Sequence, residues 1–352
     1  MRDRVGAIGT AGIVLLLAGA CSPRVEPGTP ERGQAAVPQP ARGAEPEPAD
    51  SLHVAAETPD SLSARIEPVL LDGAAAEPIP VPILPAGLLW SPAEPEEGSA
   101  FGIRILQPAG GQRVTSVEGW IADRPLNFAL LADRWFAMAS VPVGTSGTET
   151  LSVTATYADG SQMDQEITIR SRPREFASRQ LSVAPRFSSP PPETQARIAR
   201  ERERVQALLA DVTPEWFLES DFEPPRPVQV TSPFGQRRVF NGELRSRHWG
   251  LDLSGQTGAP IVAAGRGRVR LAENLYFAGN AVYVDHGSGV FTAYFHLSAF
   301  DVREGEMVEA GQLIGRAGDT GRVTGAHLHW SAYVAGLPLD ASSFLAIEVP
   351  GG

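Results

Sequence analysis

From Val228 to its C-terminus, the chain is a succession of short strand-like segments separated by glycines. Segments such as "GNAVYVDHGSG", "FTAYFHL" and "AHLHWSAYV" are rich in β-branched and aromatic residues, which favour pleated strands. Glycine adopts the backbone conformations that tight turns require, and many of the 36 glycines of the chain fall here. The pattern predicts a compact all-β domain built from antiparallel strands.

A second strand-like region precedes it, from about residue 98 to 172. "FGIRIL" and "LSVTATY" are short and β-prone, and Asp159-Gly160 supplies a hairpin turn before "MDQEITIR". These features predict a small antiparallel β-sandwich. Because the region contains no cluster of titratable residues, a role as a spacer or docking module is expected rather than catalysis.

The segment that joins the two regions predicts one helix. In "PPETQARIARERERVQALLADVTP" the apolar residues Ile198, Val205, Leu208 and Leu209 share one side between two proline stops. We therefore expect a linker over residues 173–227 that contains a helix, with its arginine and glutamate runs in solvent.

The N-terminus predicts export. A basic start is followed by an apolar run from Val5 to Ala20 that ends in small residues, as in a secretory signal peptide. Cys21, the one cysteine of the chain, follows "LAGA" directly, which resembles a bacterial lipobox and implies a lipidated N-terminus. The alternatives are cleavage after Ala20 without lipidation and an uncleaved anchor. A single cysteine excludes an intramolecular disulfide.

An acidic, proline-rich segment follows the signal. Residues 22–97 hold fifteen prolines, and thirteen Asp and Glu against four Arg, which predicts a disordered tether. The net charge of −11 argues against a nucleic-acid partner. The predicted organisation is a signal peptide (1–20), a tether (21–97), a sandwich (98–172), a linker (173–227) and a C-terminal β domain (228–346).

Five of the six histidines lie between residues 248 and 329, and the first of them is followed by an aspartate. His248 and Asp252 in "HWGLDLS" are four residues apart, which on a straight strand is about 13 Å at roughly 3.3 Å per residue. They can share one metal ion only if the chain bends between them, and Trp249-Gly250 is where a bend costs least.

The remaining histidines differ in their surroundings. In the strand-like "AHLHW", His327 and His329 point to one face and Leu328 to the other. His296 ends the strand "YFHL", whereas His286 lies at a glycine-rich turn and is interpreted as a structural residue. A set of histidines and one aspartate has the composition of a catalytic zinc site, in which three protein ligands leave a fourth position for water.

The order of these motifs resembles the LytM/lysostaphin-type zinc metallopeptidases of bacterial cell walls. "TSPFGQRR", "HWGLDLS", "FTAYFHLS" and "VEAGQLIGRAGDTGRVTGAHLHW" follow one another between Val230 and Phe344. The resemblance implies a LytM-type antiparallel β domain with a duplicated hybrid motif. It also implies one Zn²⁺ ion per catalytic domain and hydrolysis of peptidoglycan crosslinks.

The resemblance also implies a role for each matching residue. His248, Asp252 and His329 correspond to the zinc ligands, and His296 and His327 to the catalytic pair that acts on the water and the oxyanion. All five positions are filled. Some staphylolytic members carry a tyrosine shortly before the first ligand, and "GQRRVFNGELRSR" has none, so the pentaglycine specificity of those enzymes is not assumed.

The predicted function is therefore a zinc endopeptidase of peptidoglycan. It would be attached to the cell envelope through lipidated Cys21, and we expect it at the outer membrane, facing the periplasm. An envelope regulatory protein is a possible partner. Arg237 and Arg238 are candidate contacts for substrate carboxylates. The alternative is a non-catalytic LytM-type activator of cell-wall amidases. A biotinyl-carrier domain, suggested by "VREGEMVEAGQLIG", is excluded because the chain has no lysine.

Overall fold

The computed structural model describes residues 87–108, 111–180, 190–240 and 243–350. The predicted signal peptide, Cys21 and the tether as far as residue 86 lie outside the described residues. Within the described ranges, no helix has both the length and the apolar character needed to cross a membrane.

The first part of the described chain is a sandwich of two four-stranded antiparallel sheets. One sheet has the order β1-β2-β6-β5 and the other has the order β4-β3-β7-β8. The strands are β1 (Leu88–Ser91), β2 (Ala100–Leu106), β3 (Val114–Ile121), β4 (Arg124–Leu126), β5 (Ala129–Leu131), β6 (Arg134–Ser140), β7 (Gly147–Tyr157) and β8 (Gln162–Ser171). Phe101, Ile103 and Leu151 lie in the core between the sheets.

This sandwich begins earlier than the sequence predicted. β1 lies within the predicted tether, yet it pairs with β2 and buries Leu88 and Trp90. Leu88 and Trp90 alternate with half-buried Leu89 and Ser91, which is the period of a strand with one buried face. The neighbouring prolines concealed this short pattern, so the tether prediction is wrong for residues 88–97.

The predicted helix forms as α1 (Pro192–Ala210) and ends at Asp211. Pro192 occupies the first turn, where its missing N–H has no hydrogen bond to lose. Leu208 and Leu209 are buried, and Arg204 forms ion pairs with Glu273 and Glu304. The helix is therefore fixed against the C-terminal domain by an apolar contact and by charges.

The C-terminal domain is built on a large antiparallel sheet with the order β10-β13-β21-β17-β16-β15-β19, and β22 pairs with β21. Its strands are β10 (Val230–Ser232), β13 (Leu251–Ser254), β15 (Gly267–Leu275), β16 (Gly279–Gly287), β17 (Val290–Leu297), β19 (Met307–Val308), β21 (His327–Val334) and β22 (Leu337–Leu339). Two three-stranded sheets accompany it, with the orders β12-β11-β9 and β14-β20-β18. Their strands are β9 (Ser178–Gln180), β11 (Arg237–Phe240), β12 (Glu243–Arg247), β14 (Pro260–Val262), β18 (Ala299–Phe300) and β20 (Leu313–Arg316), and a 3-10 helix follows at Ala341–Ala346. The all-β fold class, with a sandwich and a linker helix before the C-terminal domain, is confirmed.

The two faces of the large sheet have different coverings. Leu253, Leu328 and Trp330 point into the main core. On the other face, Tyr283 and Phe291 pack with Leu208 and Leu209 of α1. Along β21, His327 and His329 alternate with the buried Leu328 and Trp330. Two histidines of the predicted site therefore lie on the face that α1 covers elsewhere.

Candidate metal centre

Strand register brings the central residues of the candidate site together. β13 pairs with β21 so that Asp252 is opposite His329, and β17 pairs with β21 so that Phe295 is opposite His329 on the other side. Residues directly opposite one another in an antiparallel pair point to the same face. The pairing of the strands therefore places Asp252 beside His329, although the two residues are far apart in the sequence.

His248 reaches the same point because the chain turns just before β13. Its peptide N–H donates to Gln236 O, and its carbonyl accepts from Gly235 N, which ties it to the preceding segment rather than to the large sheet. Gly250 makes the close approach possible, since a Cβ there would lie 2.7 Å from Ser331 Oγ and would also collide with His329. The bend at Trp249-Gly250 brings His248 Nε2 to 2.9 Å from Asp252 Oδ1.

Three potential ligand atoms converge at this point. His248 Nε2 lies 3.0 Å from His329 Nδ1, and His329 Nδ1 lies 2.9 Å from Asp252 Oδ1. A tetrahedral zinc site with bonds of about 2.1 Å separates its ligands by about 3.4 Å. Outward movements of a few tenths of an ångström would therefore admit the ion, and the three residues fit a zinc site.

The hydrogen bonds on the far side of the His248 and His329 rings determine whether the nitrogen that faces this centre carries a proton or a lone pair. His248 Nδ1 lies 2.8 Å from the carbonyl of Pro233, which can only accept, so this nitrogen bears the proton. His329 Nε2 lies 2.9 Å from Ser331 Oγ, and Ser331 donates its own proton to Trp249 O at 2.8 Å. Both inward nitrogens therefore present lone pairs, as does the carboxylate of Asp252. Three lone pairs at such separations repel one another unless a cation lies between them.

Protonation favours the same conclusion. Burial lowers the pKa of His329 to about 4, so this imidazole is neutral at pH 7. A neutral histidine and an ionised carboxylate are the forms that bind a metal ion.

His296 and His327 lie side by side next to these ligands. Their ring centroids are 5.0 Å apart, and His327 Nε2 is 3.4 Å from Asp252 Oδ1. In both rings Nδ1 faces a carbonyl, that of Thr320 at 2.9 Å and that of Gly325 at 2.8 Å, which leaves Nε2 with a lone pair. His296 has a φ of 63°, a left-handed conformation that is costly for a residue with a side chain. Such strain is frequent at functional sites.

The structure therefore brings all five predicted site residues together and keeps His286 out of the group. His286 is fully buried, with its ring nitrogens bonded to Arg266 O and Thr292 Oγ1. Burial lowers the pKa of His286 to about 4, which agrees with its interpretation as a structural residue.

The sequence reasoning missed two neighbours of the ligands. Ser331 is fully buried and orients His329, and Phe295 stacks on the His329 ring at 5.2 Å with an interplanar angle of 5°. Ser331 had a detectable signal, because it lies two residues after His329 and so shares its face in a strand otherwise rich in apolar residues. Phe295 had none, because its contact depends on the register between β17 and β21.

The C-terminal domain is similar in sequence to known peptidases. Residues 246–341 match the profile of peptidase family M23. The chain is 39% identical over 130 residues to the peptidoglycan DD-endopeptidase ShyA of Vibrio cholerae serotype O1, a match that covers 37% of this chain and 28% of ShyA. It is 38% identical over 130 residues to the DD-carboxypeptidase/endopeptidase Mpg of Neisseria meningitidis serogroup B, covering 37% of this chain and 30% of Mpg. The matched segment is thus less than a third of either relative.

A similarity that extends beyond the C-terminal domain is found among solved structures. The crystal structure of a Pseudomonas aeruginosa protein assigned to peptidase M23 superposes with a TM-score of 0.53 and 25% identity. The superposition covers 72% of this chain and 95% of the other. The similarity therefore includes residues outside the C-terminal domain.

Proposed function

We propose that this chain, whose residues 246–341 match the profile of peptidase family M23, is a zinc-dependent endopeptidase that hydrolyses the peptide crosslinks of bacterial peptidoglycan. The observation that carries the proposal is the convergence of three lone pairs, from His248, Asp252 and His329, on one point. The relative ShyA, which is named a peptidoglycan DD-endopeptidase, supports the choice of substrate, and Mpg, named a DD-carboxypeptidase/endopeptidase, supports the type of reaction.

In this proposal the chain supplies a site for the metal and two proton-transfer groups. His248, Asp252 and His329 would hold the ion, and Ser331 and the Pro233 carbonyl fix the two imidazoles in the ligating tautomer. When bound, zinc supplies Lewis acidity, which lowers the pKa of water and polarises a carbonyl group.

The catalytic pair would act on the reacting atoms from one side. The lone pairs at Nε2 of His296 and His327 allow either ring to accept a proton from the attacking water. A ring that has been protonated can then donate to the developing oxyanion or to the leaving amine. The carbonyls of Thr320 and Gly325 keep both rings aligned during these transfers.

Digestion of purified sacculi tests this function directly. The full chain, its His329→Ala variant and chelator-treated protein would be compared, with released muropeptides identified by mass spectrometry. We expect crosslink-cleaved products from the wild type alone, and recovery when zinc is returned to the chelated wild type but not to His329→Ala. If the wild type releases no more cleaved crosslinks than His329→Ala, the enzymatic proposal fails.

The same comparison distinguishes the alternative function. A non-catalytic activator of cell-wall amidases does not need a complete ligand set, whereas here the three ligands and both partner histidines are present and adjacent. If the wild type releases amidase products only when an amidase is added, and never cleaved crosslinks, the activator function is the correct one.

We also propose that the protein acts in the cell envelope, attached to the outer membrane through lipidated Cys21. The apolar N-terminal run, the small residues before Cys21 and the acidic tether support this proposal. Mass spectrometry of the mature N-terminus tests it, since a lipid-modified Cys21 is expected and an unmodified Cys21 or Ser22 would contradict it.

A further inference from the structure

Two arginines face each other across a strand pair beside the metal centre. β9 and β11 are parallel neighbours, and their register places Arg179 opposite Arg238. Like charges in directly opposed positions destabilise a strand pair. The two positive charges therefore disfavour each other, and an anion bound beside them would relieve this repulsion.

Arg238 is poorly compensated by the protein. Its side chain is only 25% exposed, and its Nε is buried without a hydrogen-bond partner among the described residues. It forms a long ion pair with Asp252, with the guanidinium nitrogen 3.8 Å from Oδ2. Burial lowers the pKa of Arg238, Asp252 partly offsets this, and Arg179 lowers it further. If Asp252 also binds a metal ion, this ion pair becomes weaker still.

The space next to this pair is large and basic. A pocket of about 670 Å³ is bounded by Arg179, Asp252 and His327, and Arg226 also lines it. Among the described residues that line the pocket, Asp252 is the one acid. Arg226 donates to the carbonyls of Ser254 and Pro260, which are uncharged, so its positive charge adds to that of Arg179. An anionic ligand would therefore be attracted to this side of the metal centre.

We propose that Arg179 and Arg238 form a carboxylate-binding subsite, and that the crosslink cleaved by this enzyme has a free carboxylate close to the scissile amide. This inference depends on the proposed function for the identity of the substrate. A guanidinium presents a planar fork of N–H donors that matches a carboxylate with two parallel hydrogen bonds. Two such groups would select a crosslink to the D-centre of a diaminopimelate residue, which has a free carboxylate beside the amide, over an uncharged glycine bridge.

Binding of two matched peptides to an inactive protein tests the subsite without relying on turnover. The probes are a crosslink peptide in which D-alanine is joined to diaminopimelate and the same peptide with the adjacent carboxylate converted to a carboxamide. Binding is measured by fluorescence anisotropy on the zinc-loaded full chain with His327→Ala. We expect the carboxylate peptide to bind about tenfold more tightly or better.

Two substitutions locate the effect, and a third serves as a control. Arg238→Gln and, separately, Arg179→Gln should weaken the carboxylate peptide about tenfold and the carboxamide peptide less than twofold, with zinc content unchanged. Arg247→Gln removes a guanidinium from the adjacent strand β12 that lies over the Phe176 ring at 5.2 Å, and it should change neither affinity. Because Arg179 is exposed, its variant remains informative if Arg238→Gln folds poorly.

The outcomes separate this inference from the proposed function. Equal affinity for the two peptides, or an equal loss on both when either arginine is replaced, would overturn the subsite. Hydrolysis by the wild type is then measured on the same peptides. Cleavage without preference for the carboxylate would support the endopeptidase function and refute the subsite. Arginine-dependent binding of the carboxylate without any cleavage would support the subsite and refute the endopeptidase function.

Discussion

Replacing Ser331 by alanine should weaken zinc binding without removing a ligand. In the wild type, His329 Nε2 donates to Ser331 Oγ, and Ser331 donates to Trp249 O. Ser331→Ala leaves both groups without these bonds in a buried site, at about 1–3 kcal/mol for each unsatisfied group. The other tautomer of His329, with its proton on Nδ1, then becomes competitive, and that proton must leave before the nitrogen can bind metal. Loss of such outer partners typically lowers metal affinity 10- to 100-fold.

The measurement is a competition between the protein and a chromogenic zinc chelator, with unfolding followed in parallel on metal-free samples. Ser171→Ala is the matched control, because Ser171 is a buried serine that bonds to Gly147 in the sandwich. We expect both variants to lower stability, while Ser331→Ala alone raises the Kd for zinc by 10- to 100-fold. The reasoning is refuted if Ser331→Ala changes the Kd less than twofold, or if Ser171→Ala changes it as much.

Three further predictions concern individual residues. His329→Ala should lose zinc and hydrolysis together, whereas His327→Ala should lose hydrolysis and keep most of its zinc; equal loss of metal in both, by elemental analysis, would contradict the division of roles. Gly250→Ala should weaken zinc binding at least tenfold, because the new Cβ would press on Ser331 and His329; a wild-type Kd would show that the bend does not need glycine. Burial lowers the pKa of His286 to about 4 in the folded protein, against about 6.5 for an unperturbed histidine, so its contribution to stability is complete above pH 6.5 and declines as the pH falls to 4. Between pH 7 and pH 4 the unfolding free energy of the chelator-treated wild type should therefore drop by roughly 3 kcal/mol more than that of His286→Gln, as measured by denaturant titration. If the two proteins lose stability in parallel over this range, His286 is not the cause of the pH dependence.

Local patterns were sufficient for most of the fold. The glycine-punctuated strands, the helix between prolines and the shared face of His327 and His329 all follow from periodicities of two or 3.6 residues. These patterns depend on near neighbours in the chain, so a single sequence contains them. β1 escaped because four residues within a proline-rich stretch are too few for a visible alternation.

The parts of the site that were missed depend on distant contacts. Register alone places Phe295 against His329 and Arg179 opposite Arg238, and no periodicity encodes the pairing of strands that lie far apart in the sequence. The bend at Gly250 was foreseen as a requirement for His248 and Asp252 to meet. The sequence offered no means of showing that this bend also needs a residue without a side chain to clear Ser331.

The sandwich and the C-terminal domain share a hydrophobic core. Ala100, Phe136 and Met138 of the sandwich belong to the same buried cluster as Leu253 and Trp330, and Phe136 meets Trp216 edge-to-face at 5.3 Å.

Polar contacts also join the sandwich to the C-terminal domain. Asp340 receives a hydrogen bond from Arg174 at 2.7 Å, and its own N–H donates to Gly98 O. A fragment beginning at Val228 would leave this surface open to water and Asp340 without its arginine. Genetic recombination at that boundary would thus yield a protein prone to self-association. We therefore expect the sandwich and the metal-binding domain to be inherited together, as one folding unit rather than as two interchangeable modules.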